Sequence, residues 1–203
     1  MYLILLRLAQ TDANREGRVS GRNYDSPLTE AGKEMAEDVG TALKELTLAQ
    51  VYSSPMGRCR ETAKFISNDI EIIDEFNEID LGEFDGKTKQ EIKTSLKGKI
   101  FFSSIERCVI PGVEETIFET LELIKLKIKE LFQKHKNEKA ILIVTHGGTM
   151  RAILCGILGD NFTNFWRLKI GNCAIIIIEM KSEDSFVLHD IINSAKISEI
   201  NLK

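Results

Sequence analysis

Arg7, Arg58 and His146 are the residues of this chain whose types best suit chemistry on phosphate. Each follows a short apolar run, as expected of a polar group at the end of a buried strand. Guanidinium and imidazole groups donate hydrogen bonds to phosphate oxygens. Gly147 and Gly148 follow His146, and backbone N–H groups at the start of a helix favour anions. Together these residues predict a pocket for a phosphate group.

Leu8, directly after Arg7, is the residue that this pattern does not explain. A leucine side chain has neither a lone pair nor an exchangeable proton, so it cannot act as a nucleophile. The other histidines do not replace it, because His135 is predicted at the end of a helix and His189 in a late strand. Cys59 is predicted to be a packing residue. What the site binds and whether it performs chemistry are therefore two separate questions.

Strands and helices alternate along the chain, and they must position these residues. Short apolar runs predict buried strands, and two late runs predict a hairpin at one edge of the sheet. The predicted strands are Leu3–Leu6, Val51-Tyr52, Ile72-Ile73, Ala140–Val144, Ala174–Met180 and Ser185–Ile191. This pattern predicts an α/β fold, a three-layer α-β-α sandwich with a mostly parallel central sheet and an antiparallel edge. Because the carboxyl ends of parallel strands share one rim, we expect Arg7, Arg58 and His146 to converge there.

Helix signals occupy the intervals between the strands. Thr29 is a predicted N-cap, and Ser54 is another, with Pro55 at the first helical position. The segment from about residue 75 to 111 is predicted to be an irregular excursion that forms a short cap over the sheet edge. Further predicted helices are Glu114–Lys136, 147 to about 158, and a short one near Lys87–Thr94.

Composition limits the class of protein. With 203 residues, the chain is predicted to form a single domain over 1–203. A net charge of -4 argues against a nucleic-acid partner. The four scattered cysteines suggest neither a metal centre nor a disulfide scaffold, and they suit a reducing compartment. The first apolar run is too short for a signal peptide or a membrane span, so we expect a cytoplasmic protein with no membrane partner.

Several motifs in a consistent order resemble the histidine phosphatase superfamily, in the branch with phosphoglycerate mutases and alpha-ribazole phosphatases. The resemblance extends over nearly the whole chain and implies a phosphoglycerate mutase-like fold. The matching segments include Leu6-Arg7, Ser26–Gly32, Tyr52–Pro55, Arg58, Glu61–Ala63, Glu78–Gly86, Pro111-Gly112, Thr145–Gly148 and Asn164–Trp166.

The resemblance implies a role for each matching residue. Arg7, Arg58 and His146 fall on phosphate ligands of the family, and Thr11 and Asn14 fall on residues that line the pocket. The ligand would be a small phosphorylated metabolite, which the sequence does not name. No metal and no cofactor are implied.

Two further positions decide whether the implied site is catalytically active. The family's general acid falls on Glu78, which would protonate the leaving oxygen. The nucleophilic histidine, which accepts the phosphoryl group, falls on Leu8. The loss of such a nucleophile reduces turnover by a factor on the order of 10⁶ in a protease template. We therefore expect a phosphomonoesterase site that is inactive or strongly impaired.

Three hypotheses remain open from the sequence. The chain is a pseudo-phosphatase that binds a phosphate ester, or a slow enzyme in which water attacks the bound phosphate and Glu78 acts as the acid. Alternatively it is a scaffold that forms a homodimer, or a heterodimer with an active homologue, through an exposed strand edge. A single base change converts a His codon into a Leu codon, so resequencing of the gene tests whether Leu8 is native.

Overall fold

A six-stranded mixed sheet forms the centre of the computed structural model, which describes residues 1–105, 110–113 and 116–193. The strand order is β3-β2-β4-β1-β5-β6. The strands are β1 (Tyr2–Arg7), β2 (Val51–Ser53), β3 (Ile70–Ile72), β4 (Ala140–Thr145), β5 (Ile175–Ser182) and β6 (Ser185–Ile192). The first four strands in this order are parallel, β5 runs antiparallel to β1, and β6 pairs antiparallel with β5. The predicted parallel sheet with an antiparallel edge is confirmed.

Helices cover both faces of this sheet. They are α1 (Asp12–Arg15), α2 (Glu30–Leu43), α3 (Gly57–Lys64), α4 (Lys89–Lys93), α5 (Leu96–Ser103), α6 (Ile117–His135) and α7 (Gly147–Ile157). Thr29 is the N-cap of α2, as predicted, because its side-chain oxygen accepts a hydrogen bond from the backbone N–H of Gly32 at 2.9 Å. Among the described residues, no helix has the length and apolar character needed to cross a membrane.

Alternating side chains of β1 divide the core into two layers. Ile4 and Leu6 belong to the hydrophobic cluster that includes α2 and α3, whereas Leu3 and Leu5 belong to the cluster that includes α6 and α7. All four side chains are at most 1% exposed. Burial of one such side chain contributes about 1.5–3 kcal/mol to folding, so β1 is rigidly held on both faces.

Ser54 is not the N-cap of α3, contrary to the prediction. The helix begins at Gly57, and the carboxylate of Asp25 accepts hydrogen bonds from the backbone N–H groups of Gly57 (2.7 Å) and Arg58 (3.4 Å). Ser54 instead continues the pairing with β4, since its backbone N–H donates to the carbonyl oxygen of Val144 at 3.0 Å. A carboxylate from a distant loop therefore caps this helix.

The segment from residue 75 to 111 is more regular than predicted. It contains α4, near the predicted short helix, and also α5, which the sequence pattern did not indicate. Its apolar residues form a third cluster that includes Phe84, Ile92 and Phe101, packed with residues of α6 and α7. The strand predicted at Ile72-Ile73 lies at Ile70–Ile72. The predicted start of α6, at 114, lies outside the described residues, and the helix is described from Ile117.

Candidate active site

The carboxyl ends of β1, β2 and β4 lie side by side and open into one cavity. Arg7 pairs with Thr145, and Ser53 pairs with Val144, so the three strand ends are level. The cavity has a volume of about 660 Å³. The structure brings all eight predicted site residues to its wall: Arg7, Leu8, Thr11, Asn14, Arg58, Glu78, His146 and Gly147. Their chemical roles stay predictions.

Arg7 is a cation with an unused donor. Its Nη1 donates to the carbonyl oxygen of Ile170 at 2.6 Å, but its Nε is buried and has no hydrogen-bond partner among the described residues. Burial, followed by repulsion from Arg151, lowers the pKa of Arg7 to about 10. Arg7 still carries its charge at neutral pH, and an anion in the cavity would supply the missing partner.

Arg58 is bound to the loop that covers the start of α3. Its Nη1 donates to the carbonyl oxygen of Tyr24 (2.9 Å) and to the carboxylate of Asp25 (3.0 Å). Its Nη2 donates to the carbonyl oxygens of Gly21 (2.9 Å) and Ser20 (3.4 Å). Arg58 is 2% exposed. It therefore anchors this loop, in addition to the phosphate role that the sequence predicts.

His146 is a buried histidine with a serine partner. Its Nε2 lies 2.7 Å from the hydroxyl oxygen of Ser54 and 3.4 Å from the sulfur of Cys59. Burial first, and then the charges of Arg58 and Arg7, hold the pKa of His146 well below its usual range. At neutral pH the ring is uncharged, so it can act on a ligand only as a neutral hydrogen-bond donor or acceptor.

Glu78 lies over the start of α7. Its carboxylate accepts hydrogen bonds from the backbone N–H groups of Gly148 (3.1 Å) and Thr149 (3.0 Å) and from the Thr149 hydroxyl (3.2 Å). The predicted anion-binding N–H groups of this helix start are therefore partly occupied by a carboxylate of the chain itself. A side chain at Gly148 would place its Cβ 2.5 Å from a carboxylate oxygen of Glu78, so only glycine leaves room for this arrangement.

Gly147 leaves space for the guanidinium groups of Arg7 and Arg151. A Cβ at Gly147 would lie 3.1 Å from the Nε of Arg7 and 3.2 Å from Nη1 of Arg151. Both distances are shorter than ordinary van der Waals contact, so a side chain here would displace the two guanidinium groups. Gly147 thus contributes to the site through the space it leaves open.

Thr11 and Asn14 also line the cavity, and they stabilise the backbone there. Thr11 is the N-cap of α1, and its Oγ1 accepts from the backbone N–H of Asn14 at 3.2 Å. Oδ1 of Asn14 accepts in turn from the backbone N–H of Thr11 (3.2 Å) and from the side-chain amide of Asn172 (2.9 Å). The two residues are positioned by a reciprocal capping box.

Leu8 occupies a rigid position at the cavity wall. Its backbone N–H donates to the carbonyl oxygen of Thr145 at 2.9 Å, and its carbonyl oxygen accepts from the side chain of Asn172 at 3.2 Å. The side chain is 4% exposed and belongs to the hydrophobic cluster of α2 and α3. Burial raises the pKa of the neighbouring Cys59 thiol far above its usual range, so this sulfur is not a nucleophile at neutral pH.

Arg151 and Asn172 line the cavity but were not identified from the sequence. Arg151 lies one helical turn after Gly147 in α7, and its Nε donates to the carbonyl oxygen of Leu168 at 2.8 Å. The four-residue spacing from Gly147 was a usable signal, because residues at i and i+4 share one helix face. Asn172 had no such signal, since it comes from a loop far along the chain.

His135 and His189 lie away from this cavity. His135 ends α6 and its Nε2 lies 2.8 Å from the hydroxyl of Tyr52, whereas His189 contacts the ring of Tyr2. Within the part of the chain that the structure describes, no group of three or more His, Cys, Asp or Glu residues is arranged to hold a metal ion.

Comparison with known proteins places this geometry in a family. Residues 3–193 match the profile of the histidine phosphatase superfamily, branch 1. The chain is 29% identical over 192 residues to phosphoserine phosphatase 1 of Hydrogenobacter thermophilus, covering 92% of this chain and 90% of that protein. It is 30% identical over 159 residues to phosphoglycerate mutase-like protein 4 of Arabidopsis thaliana, covering 74% and 68%, respectively.

One similar crystal structure is that of a phosphoserine phosphatase from Entamoeba histolytica, in complex with phosphoserine. That protein is a mutant in which one histidine is replaced by alanine. The two structures have a TM-score of 0.85 and 25% sequence identity, over 96% of this chain and 98% of that chain.

Proposed function

Because the chain belongs to the histidine phosphatase superfamily, branch 1, we propose that it binds a phosphate monoester without forming a phosphohistidine. The observation that carries this proposal is Leu8. It lies at the cavity wall beside Arg7, it is buried, and it cannot attack phosphorus. By its resemblance in sequence, the chain is expected to have Leu8 at the position of the family's nucleophilic histidine.

The charges around the cavity support phosphate binding. Arg7 has a buried donor without a partner, and Arg151 lies close enough to lower the pKa of Arg7. A phosphate dianion between these two guanidinium groups would relieve their repulsion and accept the unused hydrogen bond. The Entamoeba histolytica mutant supports the same view, since it holds phosphoserine although one of its histidines is replaced by alanine.

The Leu8→His variant tests the proposal directly. Loss of a nucleophile costs a factor on the order of 10⁶ in turnover, so recovery of even a small part of it is measurable. We expect phosphomonoesterase activity at least about 10³-fold above that of the wild type, together with an acid-labile phosphohistidine detected by ³¹P NMR. The matched control is Leu8→Gln, which introduces a polar side chain of similar length but no nucleophile, and it should stay inactive.

Two outcomes contradict the proposal. One is steady phosphatase activity of the wild type that persists at constant specific activity through further purification. The other is a wild-type chain that binds neither phosphate nor a phosphate monoester; a folded Leu8→His variant that binds phosphate but gains no activity would contradict the role given to Leu8.

A second candidate is slow hydrolysis by water, and the placement of Glu78 favours it. A protein that only binds phosphate does not require a leaving-group acid, yet this carboxylate lies in the cavity and is held by two backbone N–H groups. If water attacks, the wild type should release phosphate without a burst, and Glu78→Gln should lower the rate by about 10²-fold or more. Equal rates for wild type and Glu78→Gln would exclude this mechanism.

A scaffold role is the remaining hypothesis, and the edge strand β6 is its candidate surface. Val187 and Ile191 are 39% and 37% exposed on this strand, whose outer edge is unpaired among the described residues. An unpaired edge can extend the sheet into a second chain. Light scattering of the chain alone and with an active homologue tests this idea, and strictly monomeric behaviour in both cases would contradict it.

We also propose a cytoplasmic location. Three described cysteines are free thiols and are buried, as suits a reducing compartment: Cys59, Cys155 and Cys173. Cell fractionation with an antibody to the chain is the corresponding measurement, and recovery in a membrane or extracellular fraction would contradict it.

A further inference from the structure

Besides the phosphate-binding residues, the cavity has an apolar part, called its apolar end below, whose side chains belong to the third hydrophobic cluster or pack against it. Its described lining there consists of Ile79, Leu81, Phe101, Ile105, Phe165 and Trp166. The total volume of about 660 Å³ lies within the range of roughly 300–1,000 Å³ for pockets that enclose drug-sized ligands. A phosphate group beside Arg7 occupies only one end of this space.

Trp166 determines the chemistry of the apolar end. Its Nε1 donates to the carbonyl oxygen of Phe101 at 2.5 Å, so the indole ring has no hydrogen bond left for a ligand. Its ring centroid lies 5.0 Å from the centroids of both Phe101 and Phe165, in edge contacts. Trp166 is partly exposed, whereas the two Phe side chains are 1% exposed. A ligand therefore meets the apolar surface of an indole ring that its neighbours hold in place.

Arg151 connects the two ends of the cavity. Its guanidinium carbon lies 5.7 Å from the ring centroid of Trp166 and 5.9 Å from that of Phe165. A Cβ added at Gly147 would lie 3.2 Å from Nη1 of Arg151 and 3.1 Å from Nε of Arg7, so both guanidinium groups reach the same place. Because one side chain reaches both ends, a single small ligand can contact the cationic and the aromatic groups at the same time.

We propose that the cavity takes a phosphate monoester of an apolar ring, such as an aryl or heteroaryl phosphate, in preference to a phosphorylated amino acid. This inference rests on the proposed function and adds the class of the ligand to it. A ring gains stacked or edge contacts with the indole of Trp166. An ammonium group at the same place would lose its hydration beside the Arg151 guanidinium, and the ring offers it no hydrogen-bond acceptor.

Two lysines favour the opposite preference, for a ligand that carries a carboxylate. Lys89 and Lys169 also line the cavity, at exposed positions, and could attract a ligand that carries a carboxylate. Both long side chains are exposed to water, which weakens such an attraction through screening. The test therefore includes a phosphate ester that carries a carboxylate.

Calorimetric titration of the wild-type chain separates these ligand classes. The compounds are inorganic phosphate, O-phosphoserine and phenyl phosphate, with phenol as the control that lacks the phosphate. We expect phenyl phosphate to bind about tenfold more tightly than O-phosphoserine, and phenol to bind far more weakly than either. Equal or tighter binding of O-phosphoserine overturns the inference and leaves the proposed function intact. Failure of all three phosphates to bind overturns both.

Variants at Trp166 assign the preference to its ring. In Trp166→Leu the affinity ratio of phenyl phosphate to O-phosphoserine should fall at least fivefold, whereas Trp166→Phe should retain most of it. Trp166 is the single tryptophan of the chain, so its fluorescence supplies a measurement that needs no variant. Phenyl phosphate should change this emission more than inorganic phosphate does at equal saturation. Identical emission changes, or a ratio unaffected by the Leu variant, would refute the assignment.

Discussion

Replacement of Arg7 by methionine should stabilise the fold while it removes phosphate binding. Burial is the main cause that lowers the pKa of Arg7 from its ordinary value to about 10, so the folded chain carries this charge at a cost. At about 1.4 kcal/mol for each pH unit, that cost is about 3 kcal/mol. Methionine fills a similar volume without the charge.

The expected net effect is smaller than the full cost. The variant loses the hydrogen bond from Nη1 of Arg7 to the carbonyl oxygen of Ile170, which offsets about 1–1.5 kcal/mol. The free energy of unfolding should therefore rise by about 2 kcal/mol. Because the folded-state pKa lies below the unfolded one, the cost is fully present at every pH below about 10 and disappears only above the ordinary pKa of arginine.

Urea denaturation in phosphate-free buffer measures this change. A rise of about 2 kcal/mol moves the midpoint upward by about 1 M, with an unchanged slope. Added phosphate should then stabilise the wild type but not Arg7→Met, since only the wild type binds it. Arg60→Met is the matched control, because Arg60 is exposed on α3, and its effect should stay within about 0.5 kcal/mol. If Arg7→Met is less stable than the wild type without phosphate, the protein already compensates this charge and the reasoning fails.

Two further predictions concern the buried side chains of His146 and Cys59. The pKa of His146 is held well below its usual range in the fold. In the unfolded chain, His146 therefore takes up a proton near pH 6.5, whereas in the folded chain it stays uncharged at that pH. Wild-type stability should therefore fall relative to His146→Gln as pH drops from about 7 to 5, by up to about 1.4 kcal/mol per pH unit in urea titrations. Parallel curves would show that His146 is charged in the fold. Burial raises the pKa of Cys59, so a thiol reagent should modify it only at the rate of unfolding, as mapped by mass spectrometry. Rapid native labelling at Cys59 would contradict its packing.

The parts of the site that the sequence predicted are those governed by the ends of parallel strands. Arg7 and His146 converge because β1 and β4 are parallel neighbours with residue-by-residue pairing. Their apolar runs made the strands visible, and a parallel arrangement requires that the carboxyl ends meet. Thr29 was equally visible, since a helix N-cap is a local interaction.

The missed features depend on contacts between distant parts of the chain. Ser54 had the local pattern of an N-cap, but Asp25 caps α3 from a remote loop, and Ser54 is left to bond His146. Helix α5 has no apolar stripe and was therefore invisible to periodicity. Trp166 belongs to the apolar end of the cavity, where α5 brings Phe101 against it. A local sequence pattern does not predict a contact between residues so far apart in the chain.

Gly148 makes the position of Glu78 depend on a residue that has no chemistry of its own. A methyl group there would lie 2.5 Å from a carboxylate oxygen, so Gly148→Ala forces the Glu78 carboxylate to move from its place at the start of α7. A substitution of Gly148 would therefore indicate that selection no longer maintains the position of the Glu78 carboxylate. Natural variants that keep Glu78 but lose Gly148 would identify lineages in which the carboxylate no longer serves the bound phosphate.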